Sequence, residues 1–560
     1  MSSENEKSRI SRRAFLRVAA LASGSIALTA CGAPGTPATG SPAPGAASSS
    51  GAAAAGTPAA AGSTTGAGAA QKGGILRAAI IGEPPSLDPQ WTTANVTTEV
   101  TCHICETLFT LDEKLNNTPL LAESLETSKD GLTNTIKLRK GIHFHNGKEM
   151  TAEDVEASLL RWSKLAGQAK MLFQRLDSIS KPDPYTMVFK MKTPYAVFDS
   201  VLSFRSQGAV IMPKEEVEAA TEKKQITKPI GTGPYKFVEW QKDRYVRVTR
   251  FENYHNGIGN KPNGAGGQRP VYLDEIRFMP VPDQSVRVAG IQSGDYDYAE
   301  GINPDQFKLL KDSKTVTTVV SSVPTKCPTH YINKKSPITG DVKLRQAMMA
   351  VIDPGAALKA GWGSSDFYRV SGALMPKEGP WYTEVATDKF NVKNLDQAKQ
   401  LLAQSKYKGE PIRYLTTQEY PNMYQEAVVL NQNFQSLGLN TKLEVIDWAS
   451  LISRRAKPDQ WELFVTWNGY YTDPSLMDWM NPDYPGWWTN PQIDALRTKL
   501  LETTDPKARF SIFEDIQRLF YEQVPILKLG DVLDLWLTSP KLKGIGTYPT
   551  PFFWDAYLTK

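Results

Sequence analysis

Histidine and cysteine are scarce in this chain, and their scarcity removes whole classes of chemistry. Five histidines and four cysteines are spread over 560 residues. A disulfide scaffold needs a dense, even set of cysteines, and three remain once Cys31 is assigned to the leader described below. There is no Gly-x-Ser-x-Gly elbow and no His-Glu-x-x-His helix, so hydrolysis of either kind has no nucleophile or metal to run on. No repeat of fixed period occurs, which sets aside solenoids and propellers. After the leader, no apolar run approaches the roughly 20 residues that a membrane-crossing helix needs.

A strong charge imbalance is also missing. The chain carries +5 overall, but residues 1–30 hold Lys7, Arg9, Arg12, Arg13 and Arg17 against Glu4 and Glu6, so +3 of that belongs to the leader. The remaining body, at +2, has its basic residues interleaved with acids. The pI of 8.7 therefore gives no warrant for a nucleic-acid partner.

The leader itself is informative. Ser11-Arg12-Arg13-Ala14-Phe15-Leu16-Arg17 precedes a short apolar run, Val18 to Ala30, that ends in Leu28-Thr29-Ala30-Cys31. A basic front, a run too short to span a bilayer and a small-residue end are those of a secretory signal. The segment resembles a twin-arginine export signal on Arg12 and Arg13, joined to a lipoprotein signal whose lipid acceptor is Cys31. Two acyl chains hold a protein on a membrane where one does not, so the expected location is extracytoplasmic, anchored to the outer face of the cytoplasmic membrane. Gly32 to Gln71 is Gly, Ala, Ser, Thr and Pro apart from that glutamine. Such a stretch buries too little to fold, and as a flexible coil of about 40 residues it spans roughly 35 Å, a tether over residues 32–72.

The body from Lys72 to Lys560 is too long for one core and is expected to form two or three lobes. Thr135–Arg139 and Thr186–Met191 alternate as half-buried strands do. Thr151-Ala152-Glu153-Asp154 reads as a helix start, with Val155, Leu159 and Trp162 on one face. Asp505-Pro506 opens another helix, lined by Ile512, Ile516 and Leu519 and stopped by Pro525 before the strand Ile526–Leu529. Residues 422–437 read as a helix closed by Gly438, followed by a strand over Lys442–Ile446. Helix and strand in alternation predict mixed α/β layers. Gly231, Gly233 and Pro234 predict a chain reversal in which the glycines take positive φ. Asp341 reads as a helix N-cap.

Several collinear blocks carry a resemblance. Gly73-Gly74-Ile75-Leu76-Arg77, Pro85-Ser86-Leu87-Asp88-Pro89, Leu121-Ala122-Glu123-Ser124 and Phe144-His145-Asn146-Gly147 come first. Pro229-Ile230-Gly231-Thr232-Gly233-Pro234-Tyr235, Asp341–Ala347 and Asp473-Pro474 follow. Together they resemble the extracytoplasmic solute-binding proteins of ABC importers, family 5, the peptide/nickel class. The resemblance implies an α/β fold of the periplasmic-binding-protein type II kind: two lobes with mixed sheets joined by a hinge, plus an extra domain. The expected borders are lobe I over 73–113, 235–325 and 536–560, the extra domain over 114–234, and lobe III over 326–535. Hinges are expected near Val323-Pro324 and Leu537-Thr538, where strands change lobe.

The implied function is capture of a small solute between the lobes, a peptide first and an oligosaccharide second, with delivery to permease subunits. The protein is then expected to be a monomer, to need no cofactor and to be no enzyme. Aromatics concentrate between Trp461 and Trp488, and rings with polar tips suit an enclosing pocket. The expected ligand residues are Trp467, Tyr470, Tyr471, Asp473, Trp487 and Trp488; truncating Tyr470 is expected to weaken binding with little loss of fold. In peptide-binding relatives an acid three positions before the Asp-Pro pair holds the ligand amine, and here that position is Tyr470. The arginine that holds the carboxylate would fall near Thr417–Glu419, where there is none, with Arg413 close by.

Losing both anchors disfavours short free peptides, since an unpaired buried charge is costly. A metal or nickel-chelate role could use His143 and His145, or Cys102-His103-Ile104-Cys105. A zinc site wants a second cysteine pair and haem attachment wants the histidine last, so buried thiols are expected. A secreted hydrolase built on Asp473 and Asp478 is the reading from another class, although capping explains Asp473-Pro474-Ser475.

Overall fold

The computed structural model describes residues 70–220, 224–548 and 550–560. Arg12, Arg13, Cys31 and the tether up to residue 69 lie outside the described residues. Three large sheets organise the described chain. The first runs Thr317–Val320, Leu535–Thr538, Tyr298–Ala299, Ile75–Ile80, Glu275–Pro280, Tyr245–Arg250, Tyr235–Gln241 in spatial order. Its centre is parallel, with Ile75–Ile80 flanked by Glu275–Pro280 and Tyr298–Ala299, and its margins are antiparallel. Leu76, Ala78 and Ile80 enter one core and Ala79 the opposite one. A strand covered on both faces reads as a nearly continuous apolar run, which is why Ile75-Leu76-Arg77-Ala78-Ala79-Ile80 does not alternate.

The second sheet orders Tyr368–Arg369, Asp531–Val532, Lys326–Ile332, Leu463–Gly469, Ile412–Thr416 and Thr441–Val445, with Ile526–Lys528 also paired to Lys326–Ile332. Its core includes the helices Val342–Val351, Pro421–Ser436 and Pro506–Gln523. The predicted starts and stops hold: Asp341 and Asp505 cap their helices, Ile512, Ile516 and Leu519 are buried, and Gly438 takes a left-handed φ of 91°. The third sheet is antiparallel, Ala122–Thr127, Thr133–Leu138, Thr186–Met191, Leu176–Asp183. The helix Ala152–Leu165 covers it with Val155, Leu159 and Trp162 fully buried. Asp154 accepts from the Thr151 backbone N–H at 3.0 Å and from its hydroxyl at 3.1 Å.

The chain passes between the first two sheets twice. One crossing joins Thr317–Val320 to Lys326–Ile332, around Val323-Pro324 as the sequence predicts. The other is not at Leu537-Thr538: those residues pair with Thr317 and Thr318 on one side and with Tyr298 and Ala299 on the other. A strand bonded on both edges is a poor place to bend. The second crossing lies instead at Leu533 and Asp534, between Asp531–Val532 and Leu535–Thr538.

The Gly231-Thr232-Gly233 reversal is also corrected in its reason. Neither glycine has a positive φ. A Cβ on Gly231 would run into the Ile104 carbonyl oxygen and come within 2.8 Å of the Cys105 Cα, and one on Gly233 would lie 2.6 Å from the His103 oxygen. Close backbone approach, not torsion, demands glycine here. The strand Tyr235–Gln241 follows, and a phosphate cradle would need a helix there.

Candidate functional site

Both crossings leave from the same end of each sheet, and that shared end is where a seam between the lobes must lie. On the second sheet it is the end where Lys326 pairs with Gly469. Trp467 stands there, half-buried, with its ring 4.8 Å from Tyr420 and edge-on to it; Tyr420 in turn meets Trp448 at 5.1 Å. Lys326 lies 5.6 Å from the Trp467 ring and pairs with Asp534 of the other crossing at 2.6 Å. Tyr471 is half-buried two residues past the strand, its hydroxyl 3.5 Å from Asp478 and its ring 5.0 Å from Phe204 of the third-sheet unit. It packs against the cores of both the second and the third sheet.

The other expected ligand residues are placed differently. Tyr470 is buried and donates its hydroxyl to Asp531, which also accepts from Lys528 at 2.8 Å and from Arg369 at 2.6 Å. Truncating Tyr470 therefore opens a buried polar network, and little loss of fold is no longer the expectation. Asp473 caps Pro474–Leu476 and pairs with Arg509 at 2.8 Å. Trp487 and Trp488 lie beyond the opposite end of the second sheet, near Lys334 and Pro525, about 20 Å along Lys326–Ile332 from the crossing. Trp488 is core, its indole N–H bonded to Gln523 at 2.8 Å, and Trp487 sits against Trp461 beneath Lys335. The structure thus brings Trp467 and Tyr471 to the seam, with Tyr470 behind it, and leaves Trp487 and Trp488 away from it.

Four charged residues at the seam carry no sequence signal. Glu99, on the helix Asn95–Thr101, lies beside Glu300, which follows Tyr298–Ala299 and accepts from the Ile81 N–H at 2.8 Å. Asp534 and Lys326 complete the group, so three carboxyls share one ammonium. Burial first, then the Glu300 charge, pushes Glu99 well above the ordinary glutamate range, and burial raises Glu300 as well. Below the ordinary value of 4.5, folded and unfolded chains both keep this proton. As the pH rises, the unfolded chain releases it first, so the group costs stability at neutral pH and none at acid pH. Glu99→Gln should raise the melting midpoint at pH 8 by about 2–4 °C and leave it unchanged at pH 4. Paired calorimetric scans check this, and an equal gain at both values would separate the effect from ionisation.

The histidine and cysteine clusters have occupations of their own. His103 Nδ1 meets the Glu99 carbonyl at 2.9 Å and Nε2 accepts the Phe553 N–H at 3.0 Å, while burial lowers the ring to about 3. Both nitrogens are engaged. Cys102, Cys105 and Cys327 are free and buried, and burial raises the thiol of each. His145 Nε2 meets the Gly233 carbonyl at 2.9 Å and Nδ1 accepts from the Gly231 N–H at 3.4 Å, so it fastens the glycine reversal. His143 rests on the Gly141 carbonyl at 3.0 Å. Arg413 is committed to Glu462 at 2.8 Å.

The chain is similar to proteins already known. The family model described as bacterial extracellular solute-binding proteins, family 5 middle, matches residues 116–490. A probable peptide ABC transporter periplasmic-binding protein, y4tO, of Sinorhizobium fredii (strain NBRC 101917 / NGR234) is 27% identical over 484 residues, 84% of this chain and 90% of the relative. The oligopeptide-binding protein AppA of Bacillus subtilis (strain 168) is 26% identical over 501 residues, covering 82% and 86%. Among solved structures, the ABC transporter-associated periplasmic binding protein DppA of Helicobacter pylori, in complex with peptide STSA, matches with a TM-score of 0.74. The identity is 22%, over 88% of this chain and 99% of that one. Its likeness gives the fold: the type II arrangement of periplasmic binding proteins.

Proposed function

The chain belongs to family 5 of the bacterial extracellular solute-binding proteins, the peptide/nickel class that serves ABC importers, and from that premise we propose that it is a membrane-tethered receptor that encloses a peptide between its two lobes and passes it unchanged to permease subunits. The observation that carries this reading is the seam at the two crossings, with Trp467 on one wall and Tyr471 reaching across to Phe204. Contacts made only when the lobes meet favour the closed form, and that difference in affinity is what a solute can use to shift the equilibrium. Two of the relatives are named for peptides, which favours that class of solute. The export signal, Cys31 and the tether add the anchor, on the outer face of the cytoplasmic membrane, and the receptor acts as a monomer.

The half-buried cluster Tyr420, Trp448 and Trp467 favours a second reading, an oligosaccharide held by ring stacking. Native mass spectrometry of the protein as purified distinguishes the two by the mass of what it retains, and an altered covalent mass on release would instead point to catalysis. Trp467→Ala should weaken binding of that solute about tenfold, with the melting midpoint nearly unchanged because the ring is only half-buried. Isothermal titration checks it; an unchanged dissociation constant would take Trp467 out of the site.

A further inference from the structure

Tyr471 is not the only residue of the second-sheet part of the chain that meets the third-sheet unit. The helix Pro491–Glu502 ends nearby, and the last carbonyls of a helix have no partner within it. The Lys499 carbonyl accepts the Thr503 N–H at 3.0 Å and the Leu500 carbonyl accepts from Arg509 at 3.1 Å, both local. The Leu501 carbonyl instead accepts the Ala196 N–H of the third-sheet unit, at 2.8 Å. Leu501 and Leu476 are 6% and 4% exposed and share one core with Tyr195, Val197 and Phe198. A Cβ on Gly131, in the turn between Ala122–Thr127 and Thr133–Leu138, would lie 3.2 Å from the Thr504 methyl.

This contact sets a gain against a standing cost. Taking two leucines out of water favours it. Tyr195 is 3% exposed, yet its hydroxyl has no partner among the described residues. Asp199, in the first turn of Phe198–Leu202, accepts only from Ser200 beside it among the described residues. Burial first, and the Asp473 charge on the opposing side with it, raise the Asp199 carboxyl above the usual aspartate range. Surfaces that never separate satisfy such groups, because an orphaned polar atom costs free energy for as long as it stays buried.

We propose that this contact is a latch: it forms when the lobes close, parts when they open, and strengthens the hold on a solute that it does not touch. The inference rests on the solute-receptor reading above. The buried pair Arg161 and Asp88, at 2.5 Å, fastens the third-sheet unit to the first, so closing the lobes carries Ala196 to Leu501. Interactions confined to the closed form shift the equilibrium towards it, whether or not they involve the solute. Opening wets Tyr195, Asp199 and the Leu501 carbonyl and exposes the two leucines, so gain and cost vanish together.

The test is hydrogen exchange at the Ala196 amide of the mature protein, stripped of solute and then with a pool of short peptides whose retention is read by native mass spectrometry. In the stripped protein Ala196 should exchange at least about tenfold faster than with peptides bound. The Met150 amide, bonded to the Ile142 carbonyl at 2.7 Å inside the third-sheet unit, should stay slow in both. Leu476→Ala combined with Leu501→Ala should weaken retention of the pool about tenfold and leave the melting midpoint of the stripped protein nearly unchanged, since the open form already exposes both side chains. Equal exchange at Ala196 with and without bound peptides, or a stripped variant that melts well below wild type, overturns the latch and leaves the receptor reading standing. Peptides that are not retained at all overturn the peptide reading instead. The stripped protein then decides the latch alone: Ala196 fast beside a slow Met150 keeps it, and Ala196 as slow as Met150 overturns it. Should the double variant fail to fold, exchange in the unmodified chain decides the matter.

Discussion

Glu106→Ala should cost about 3–5 kcal/mol of folding stability, a large part of the 5–15 kcal/mol that a domain possesses, and should lower the melting midpoint by about 10 °C. The reason is what it leaves behind. Arg269 is 1% exposed and rests on Glu106 at 2.5 Å. Without the carboxylate its charge stays buried and faces Arg205 unscreened. Tyr254, His255 and Thr232 lose an acceptor in the same step. Glu106→Gln keeps the shape but not the charge and should fall between the two.

The pH dependence follows in sign. Burial pushes the Glu106 carboxyl up, but His255, Arg269 and the hydrogen bonds of His255 and Tyr254 outweigh it and hold the group at about 2. A depressed folded value means that the contribution is complete above 4.5 and is lost as the pH falls from there towards 2. Denaturant titrations at pH 7 and pH 3 on both chains check this. The difference between wild type and Glu106→Gln should shrink at pH 3; a constant difference would mean that shape, not charge, matters.

Asp531→Ala is the second change of this size, also about 3–5 kcal/mol. Asp531 is the first residue of the short strand that leads into the second crossing. It neutralises Lys528, which is 3% exposed, and ties Arg369 and Tyr470 to the same point. Burial disfavours its charge, yet Lys528 and the hydrogen bonds around it hold the carboxyl below the usual aspartate range. The stability it supplies is therefore present at neutral pH and fades as the pH drops below 3.8. Asp531→Asn should lose less, and Tyr470→Phe about 1 kcal/mol, because one donor leaves while the two cations stay paired. Equal losses for Asp531→Asn and Asp531→Ala, measured by chemical unfolding, would show that the charge contributes nothing.

These networks mark the limit of what the chain reveals when read as text. Thr151 and Asp154, Asp505 and Pro506, Pro525 and Gly438 were legible because each acts on backbone within four residues of itself. The aromatic segment was legible only in part. Trp467 and Trp487 are 20 positions apart; the strand Leu463–Gly469 runs towards the crossing and carries Trp467 there, but by Gly486 the chain has turned back to Lys334 at the far end of the sheet, which takes Trp487 away from the seam. Neighbouring Tyr470 and Tyr471 point to opposite duties, one inward to Asp531 and one across to Phe204. Glu99, Glu300, Lys326 and Asp534 meet from four stretches of chain, and no local pattern announces a charge group assembled over such separations.

The glycine reversal has a mechanical consequence. Gly231 and Gly233 press against the backbone of His103–Cys105, Thr232 bonds to Glu106, and Arg161 of the third-sheet unit meets Asp88 of the first at 2.5 Å, with both side chains buried. The third unit is thereby fastened to the first by buried polar and backbone contacts, while Tyr471 and Leu476 of the second-sheet part of the chain pack against it from the other side. On the proposed reading, closure is then a single swing about the two crossings, and a permease that inspects it would need to measure only one angle.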